Sequence, residues 1–578
     1  MQQGEGERGD DPQQKGRVGD AQQKKAHGRM MPSGTRTSTR RLSAPTRSWW
    51  AAVRRTLPLA AAMATLIVAA CTPVVRDPGT IVMASGTDLE SANPLVTVHP
   101  MSRQVQRHML FVTLVRLDSL LQPVPYYARR WSWDAEHRTV TFELDSTLRW
   151  HDGVPTTASD VRFTLQRAAD SALGSPKRGD MRVVEQVTVP SANTVVIRFV
   201  APQAQLPVVL AELPLVPQHL LDTVPVDRWR GHVFATAPVG NGPFRFAARL
   251  PGRQWRFVRN DAFPASMGGP PRAHEVVVAV VDEAATKFAG LVSGELDVAG
   301  VSPTMARLVR DDPTLRLLSP PVLSSTVLAF NTTRAPFDDA RVRRAVSLAV
   351  RRQQLVDAAV AGFGTPATSA IPVGLPVSPP PIASPDVRQQ AMLADSLLDA
   401  AGWRRAGNAG TRQRNGQPLE LTLLTVGSGD MAVEQLVQAD LAARGISVNI
   451  RVLELASFLA TVRNPSKTFD VVLTGIPGDI ALGHLSALFD SQQRGGALDY
   501  TGFHTAALDA ALAAARTAPP ERARAAWHTV DSLLQYDMPI AWLYHARGVQ
   551  GTSARLQHVT MDLRGELVTI AQWMRRTP

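Results

Sequence analysis

One cysteine in 578 residues, Cys71, leaves this chain without an internal disulfide and without a metal site built from cysteines. Catalytic signatures are missing too. There is no Gly-x-Ser-x-Gly elbow and no His-Glu-x-x-His. Gly362-Phe363-Gly364 follows a helical pattern and leads into prolines, the wrong context for a dinucleotide loop, and Gly240-Asn241-Gly242-Pro243 reads as a tight turn. The 13 histidines are scattered without ligand spacing. No catalytic residue, cofactor or metal site is therefore expected, and the chain does not read as an enzyme. A concentrated basic surface is also lacking. Of the net +12, residues 1–55 hold +7 and the rest only +5, with no Lys/Arg block to follow a phosphate backbone, so no nucleic-acid partner is expected.

Long apolar runs are absent from the N-terminal region. Residues 1–56 are basic, poor in apolar side chains and expected to be disordered, and translation could start at Met1, Met30 or Met31. After Arg54-Arg55, the run from Leu57 to Ala70 has 14 residues, short of the roughly 20 that a spanning helix needs. A basic flank, a short apolar stretch and small residues at its end make a secretory signal. It closes on Val68-Ala69-Ala70-Cys71, which is similar to the lipobox of bacterial lipoproteins. There the cysteine is diacylated and becomes the new N-terminus. Residues 57–71 are thus read as signal and lipobox, and 72–80 as a tether. Several acyl chains, at about 0.8 kcal/mol per buried CH₂, would hold the protein on a membrane where one chain would not.

Periodicity organises the remainder. Thr139–Leu144 alternates as a strand, and Thr157-x-x-Asp160 has capping-box spacing ahead of an amphipathic helix. Asp338 or Asp339 opens another helix that ends by Gly362. Between Glu420 and Gly475 the order is strand (Leu419–Thr425), helix ending at Gly445, strand (Ile446–Val452), helix (Leu455–Arg463) and apolar strand (Phe469–Leu473). Such β-α-β-α-β order predicts a parallel sheet with right-handed crossovers. Ligands of such sheets sit beyond the carboxyl ends of the strands, which singles out the loop Thr474–Ile480.

With these segments placed, the chain resembles the family 5 extracellular solute-binding proteins of ABC importers, the oligopeptide, dipeptide and nickel-chelate receptors. The block Arg149–Phe163 is similar to the family's FHDG-x-P segment, Ala237–Phe244 to its GTGPY turn, and Ser293–Asp297 to its GE-x-D segment. Phe330-Asn331 with Pro336–Ala345, and Ala400–Trp403, match two further motifs. The resemblance implies an α/β fold of two lobes around a cleft with an additional subdomain. Lobe one would combine residues 78–110, 235–325 and 548–578, the subdomain 111–234, and lobe two 326–547. It further implies a monomeric receptor on the periplasmic or cell-surface face of a bacterial membrane. The receptor would capture a peptide and deliver it to the permease subunits of an ABC importer.

In peptide-binding members, a carboxylate after a lobe-two strand pairs with the peptide's α-ammonium, and Asp479 falls on that position. Its neighbours Gly475, Ile476 and Gly478 would line the pocket, and Trp542, Val98 and His99 align with other lining segments. Asp479 also precedes an apolar helical pattern, so capping a helix is the competing reading. Ile476 and Ile480 stand where the family places Trp and Tyr, which removes aromatic walls. That leaves open a non-peptide solute such as a metal chelate or sugar, or a surface lipoprotein that senses or chaperones without transport.

Overall fold

In the computed structural model, which describes residues 77–576 apart from Val98, Ala204, 381–385, Ala406, 408–409, 428–430 and Ala497, the alternation between Glu420 and Gly475 folds as a parallel sheet. Glu420–Thr425 pairs in parallel with Ser447–Val452 on one side and Val471–Pro477 on the other. The helices Ala432–Ala442 and Leu455–Arg463 supply the crossovers. Three antiparallel neighbours, Pro321–Phe330, Ile540–Arg547 and Gly364–Pro366, complete a six-stranded sheet. Its centre is buried on both faces: Leu328 and Phe330 enter one core, Val327 and Ala329 the other. That accounts for strands that read as continuous apolar runs.

Two expectations need correction here. The third strand does not stop at Leu473 but runs to Pro477, because Pro321–Phe330 offers backbone partners along its whole length. Thus Gly475 and Ile476 lie in the sheet, opposite Thr326 and Ser325, and only residues from Gly478 onward form the loop. The helix opened by Asp339 also ends early, at Ala349, and a second helix spans Arg352–Ala359. Between them the Arg351 amide donates to Asp440 Oδ2 at 2.8 Å and its guanidinium to Asp440 Oδ1 at 2.7 Å, which holds the break.

The second large sheet has seven strands, in the order Leu315–Leu318, Gln550–Ser553, Val298–Gly300, Thr80–Ser85, Glu275–Val280, Gln254–Arg259, Phe244–Leu250. A four-stranded antiparallel sheet takes Ala128–Trp133, Thr139–Leu144, Thr194–Phe199 and Val184–Ser191, and the helix Ala158–Ala169 packs on it. The Thr157/Asp160 capping box is present, with the Thr157 amide 2.8 Å from Asp160 Oδ2. The architecture is the two-lobed α/β fold. Among the described residues no helix is long and apolar enough to cross a membrane.

Two of the family-like motifs clasp each other. The His151 ring accepts from the Gly240 amide at Nδ1 (3.2 Å) and donates from Nε2 to the Gly242 carbonyl (3.0 Å). Burial, set against the Gly242 hydrogen bond, lowers the His151 pKa to about 4, so the ring is neutral as this bonding requires. A Cβ at Gly240 or Gly242 would run into the backbone of Met109–Phe111, so only glycine allows this approach. The motifs therefore fix the turn Gly240–Pro243 against the segment that follows the strand Thr139–Leu144.

Candidate functional site

Where the strand Val471–Pro477 ends, the Gly478 amide still donates to the Leu323 carbonyl at 2.7 Å, and the chain then turns into the short helix Gly483–Phe489. Asp479 lies in that turn. Its Oδ1 accepts from the Gly483 amide and its Oδ2 from the His484 amide, each at 2.9 Å. The His484 ring lies against the same carboxylate, with Nδ1 3.4 Å from Oδ2. Burial works against the charge on Asp479. The nearby His484 ring, the Gly483 amide and the Lys177 ammonium outweigh it and hold the carboxyl well below the ordinary range. Asp479 is thus a helix cap and an ionised carboxylate together, and its side chain keeps 25% of its surface exposed.

The other expected residues are distributed differently. Gly475 is exposed with open space where a side chain would project, whereas Ile476 is 1% exposed and packs in the core beside Leu482 and Leu485. Trp542 is buried in the same core, and its carbonyl accepts from Arg352 Nε at 2.8 Å. His99 caps the helix Pro100–Val105 through Nδ1 and meets Thr87 Oγ1 at 2.8 Å through Nε2. The structure thus brings Gly475, Ile476, Gly478 and Asp479 together by adjacency, with Ile476 facing inward. Val98 and Cys71 lie outside the described residues.

Within electrostatic reach of Asp479 is a group of charges that no local pattern announced. Glu212, 7% exposed, accepts from Lys177 Nζ at 2.9 Å and Arg107 Nη1 at 3.3 Å, with Arg103 Nη2 at 4.0 Å. Lys177 also reaches Asp180 Oδ2 at 3.3 Å. Burial opposes ionisation of Glu212, but Lys177, Arg107 and Arg103 prevail and its pKa is lowered. Asp180 shifts the other way: burial raises it, and the charges of Asp479 and Glu212 add to that despite Lys177. Asp479 and Lys177–Asp180 are therefore within electrostatic reach of each other. Arg182 Nη1, from the same segment as Lys177, lies 3.4 Å from Gln492 Oε1 beyond Asp479. One sequence signal pointed here: after residue 55 the chain has only three lysines, Lys177, Lys287 and Lys467, among many arginines.

Chemically, the Asp479 turn and the Lys177–Glu212 group present fixed, partly desolvated charges. Residues 122–492 match the family described as bacterial extracellular solute-binding proteins, family 5. The chain is 28% identical over 438 residues to Protein XP55 of Streptomyces lividans, covering 75% of this chain and 78% of that one. It is 25% identical over 425 residues to the nickel-binding periplasmic protein of Escherichia coli, covering 71% and 77%. In fold it is similar to the oligopeptide-binding protein AppA of Bacillus subtilis, solved with a nonapeptide. The TM-score is 0.73 at 21% identity, over 86% of this chain and 99% of that one. From the matched span and the shared architecture, the chain belongs to the family 5 bacterial extracellular solute-binding proteins.

Proposed function

We propose that this protein is a lipid-anchored receptor that captures peptides outside the cytoplasm and delivers them to the permease subunits of an ABC importer. The observation that carries the peptide reading is Asp479: a carboxylate kept ionised at the end of a lobe-two strand, on the family's ammonium-binding segment. A peptide's α-ammonium there would add a charge-assisted hydrogen bond worth about 1.5–3 kcal/mol. In this reading lobe one comprises 78–110, 235–325 and 548–578, the subdomain 111–234 and lobe two 326–547. Closure about the crossings near 325 and 547 then buries the ligand.

Native mass spectrometry of the purified protein tests the ligand class. Peptide masses released on denaturation are expected; a metal chelate or sugar in their place would overturn the peptide reading. That second reading is favoured by aliphatic Ile476 and Ile480 beside Asp479 and by the nickel-binding relative.

The anchor in this proposal is a diacylated Cys71, supported by the apolar run and small residues before it. Cys71→Ala is expected to abolish incorporation of labelled fatty acid and to move the protein out of the washed membrane fraction. Unchanged labelling would assign the lipid to another residue, and an unlabelled wild type would remove it from the account.

A further inference from the structure

The seven-stranded and six-stranded sheets carry separate apolar cores, and two leucines leave the first to join the second. Leu556, Leu567, Ile570 and Trp573 are buried in the core that holds Ile81 and Trp255. Leu563, between them in the chain, packs instead against the core of Val327, Leu482 and Trp542. Leu121 does the same from the segment that follows Val115. Among the described residues, these are the only hydrophobic side chains from outside 323–542 that pack against that second core.

Each leucine stands on a braced turn. Asp118 Oδ1 accepts from the Leu120 and Gln122 amides, both at 2.9 Å, and the Asp118 carbonyl accepts from the Leu121 amide at 3.0 Å. Asp562 Oδ1 accepts from the Arg564 amide at 2.9 Å, and the Asp562 carbonyl from the Gly565 amide at 2.9 Å. Aspartates that bond the backbone two residues on fix a turn locally. The Arg564 guanidinium then ties the two turns together: it pairs with Asp562 Oδ2 at 2.6 Å and donates from Nη1 to the Leu117 carbonyl at 3.1 Å. The receiving surface is braced as well. Ser378 Oγ accepts from the Leu375 amide at 2.9 Å and donates to the Pro372 carbonyl at 2.6 Å. Gly374, at φ +97°, leaves a notch there, since a Cβ on it would stand 3.2 Å from Leu563 Cδ1. The left-handed backbone and the close approach both favour glycine at this position.

We propose that Leu563, with Leu121, is a positioning residue that latches the two lobes together by seating against the Gly374 notch. The inference rests on reading 326–547 as a lobe that moves against the rest, and not on what the ligand is. Apolar contact made only in the closed form favours that form with or without a solute. Apparent affinity for any solute rises with the closed fraction.

Pulsed electron–electron distance measurement on the full chain tests the latch, with spin labels on Leu308→Cys and Met392→Cys in a Cys71→Ser background. Both positions are exposed, one in each lobe. The chain with Leu563 intact should show a short and a long distance population. Leu563→Asp should cut the short-to-long ratio about tenfold, because seating a carboxylate there strips its water. Leu563→Ala should cut it about fivefold, the loss of a half-buried leucine's contact, and Leu563→Met should keep it. The thermal midpoint should stay near the wild-type value in all three, since Leu563 is only partly buried. Leu121→Ala, on the second turn, serves if Leu563→Asp does not fold, and should lower the ratio about threefold. Two populations whose ratio is unchanged in Leu563→Asp overturn the latch and leave the moving lobe standing, as does a lowered midpoint with that ratio intact. One narrow population in every chain overturns both the latch and the moving lobe.

Discussion

Asp479→Ala is expected to weaken binding of a peptide with a free amino terminus by roughly tenfold to a hundredfold, the loss of one charge-assisted hydrogen bond in a partly desolvated site. The substitution has a structural side as well. The amides of Gly483 and His484 both donate to this carboxylate, and leaving them without an acceptor costs about 1 kcal/mol. Asp479→Asn separates the two roles. Its side-chain oxygen can still cap the helix, but it carries no charge to meet an ammonium. The asparagine variant should therefore melt close to the wild type and bind nearly as poorly as the alanine variant. Wild-type affinity in Asp479→Asn would reduce Asp479 to a cap. Because the folded carboxyl titrates well below the ordinary range, ammonium binding should also stay flat from neutral pH down to about 4, where ordinary carboxylates begin to protonate.

The largest loss of stability is expected at Glu212. This side chain is 7% exposed and is paired with Lys177 and Arg107, with Arg103 beside them. Removing one partner of a buried ion pair leaves the others desolvated and uncompensated, at a cost of about 3–5 kcal/mol. Glu212→Gln is the suitable variant, since it keeps volume and a carbonyl acceptor while deleting the charge. Thermal and urea unfolding should both report the loss; a change below about 1 kcal/mol would mean that solvent already screens the cluster.

The pH dependence follows from the direction of the shift. Glu212 has a lower pKa folded than unfolded, so its contribution is fully present above the unfolded value of about 4.3 and is lost as pH falls through the folded value. Asp180 and Glu566, raised chiefly by burial, act in the opposite sense, because their burial penalty is relieved on acidification. The acid limb of the wild-type stability curve should accordingly be steeper than that of Glu212→Gln.

How much of this was legible without coordinates depended on whether a feature is local. The parallel sheet from Glu420 to Pro477 was readable because each strand and helix declares itself within about ten residues through its apolar period. The Thr157/Asp160 capping box was readable for the same reason. The extension of the third strand past Leu473 was not, since it depends on Pro321–Phe330, some 150 residues earlier. The break at Arg351 was hidden likewise, as its cause is Asp440 on another helix. Asp479 could be found by topology and motif. The neighbouring charge cluster could not, because Lys177, Glu212 and Arg107 meet only after three separate segments have folded. Ile476 and Trp542, which align with pocket-lining segments, both pack in one apolar core of the six-stranded sheet.

The central claim, an α-ammonium held by the Asp479 carboxylate, meets its most direct test in calorimetry of the wild-type protein with a peptide recovered from it and with the same peptide N-acetylated. The account predicts that acetylation raises Kd at least tenfold and that Asp479→Asn removes most of the difference between the two ligands. Equal affinities for the free and acetylated peptide would contradict it.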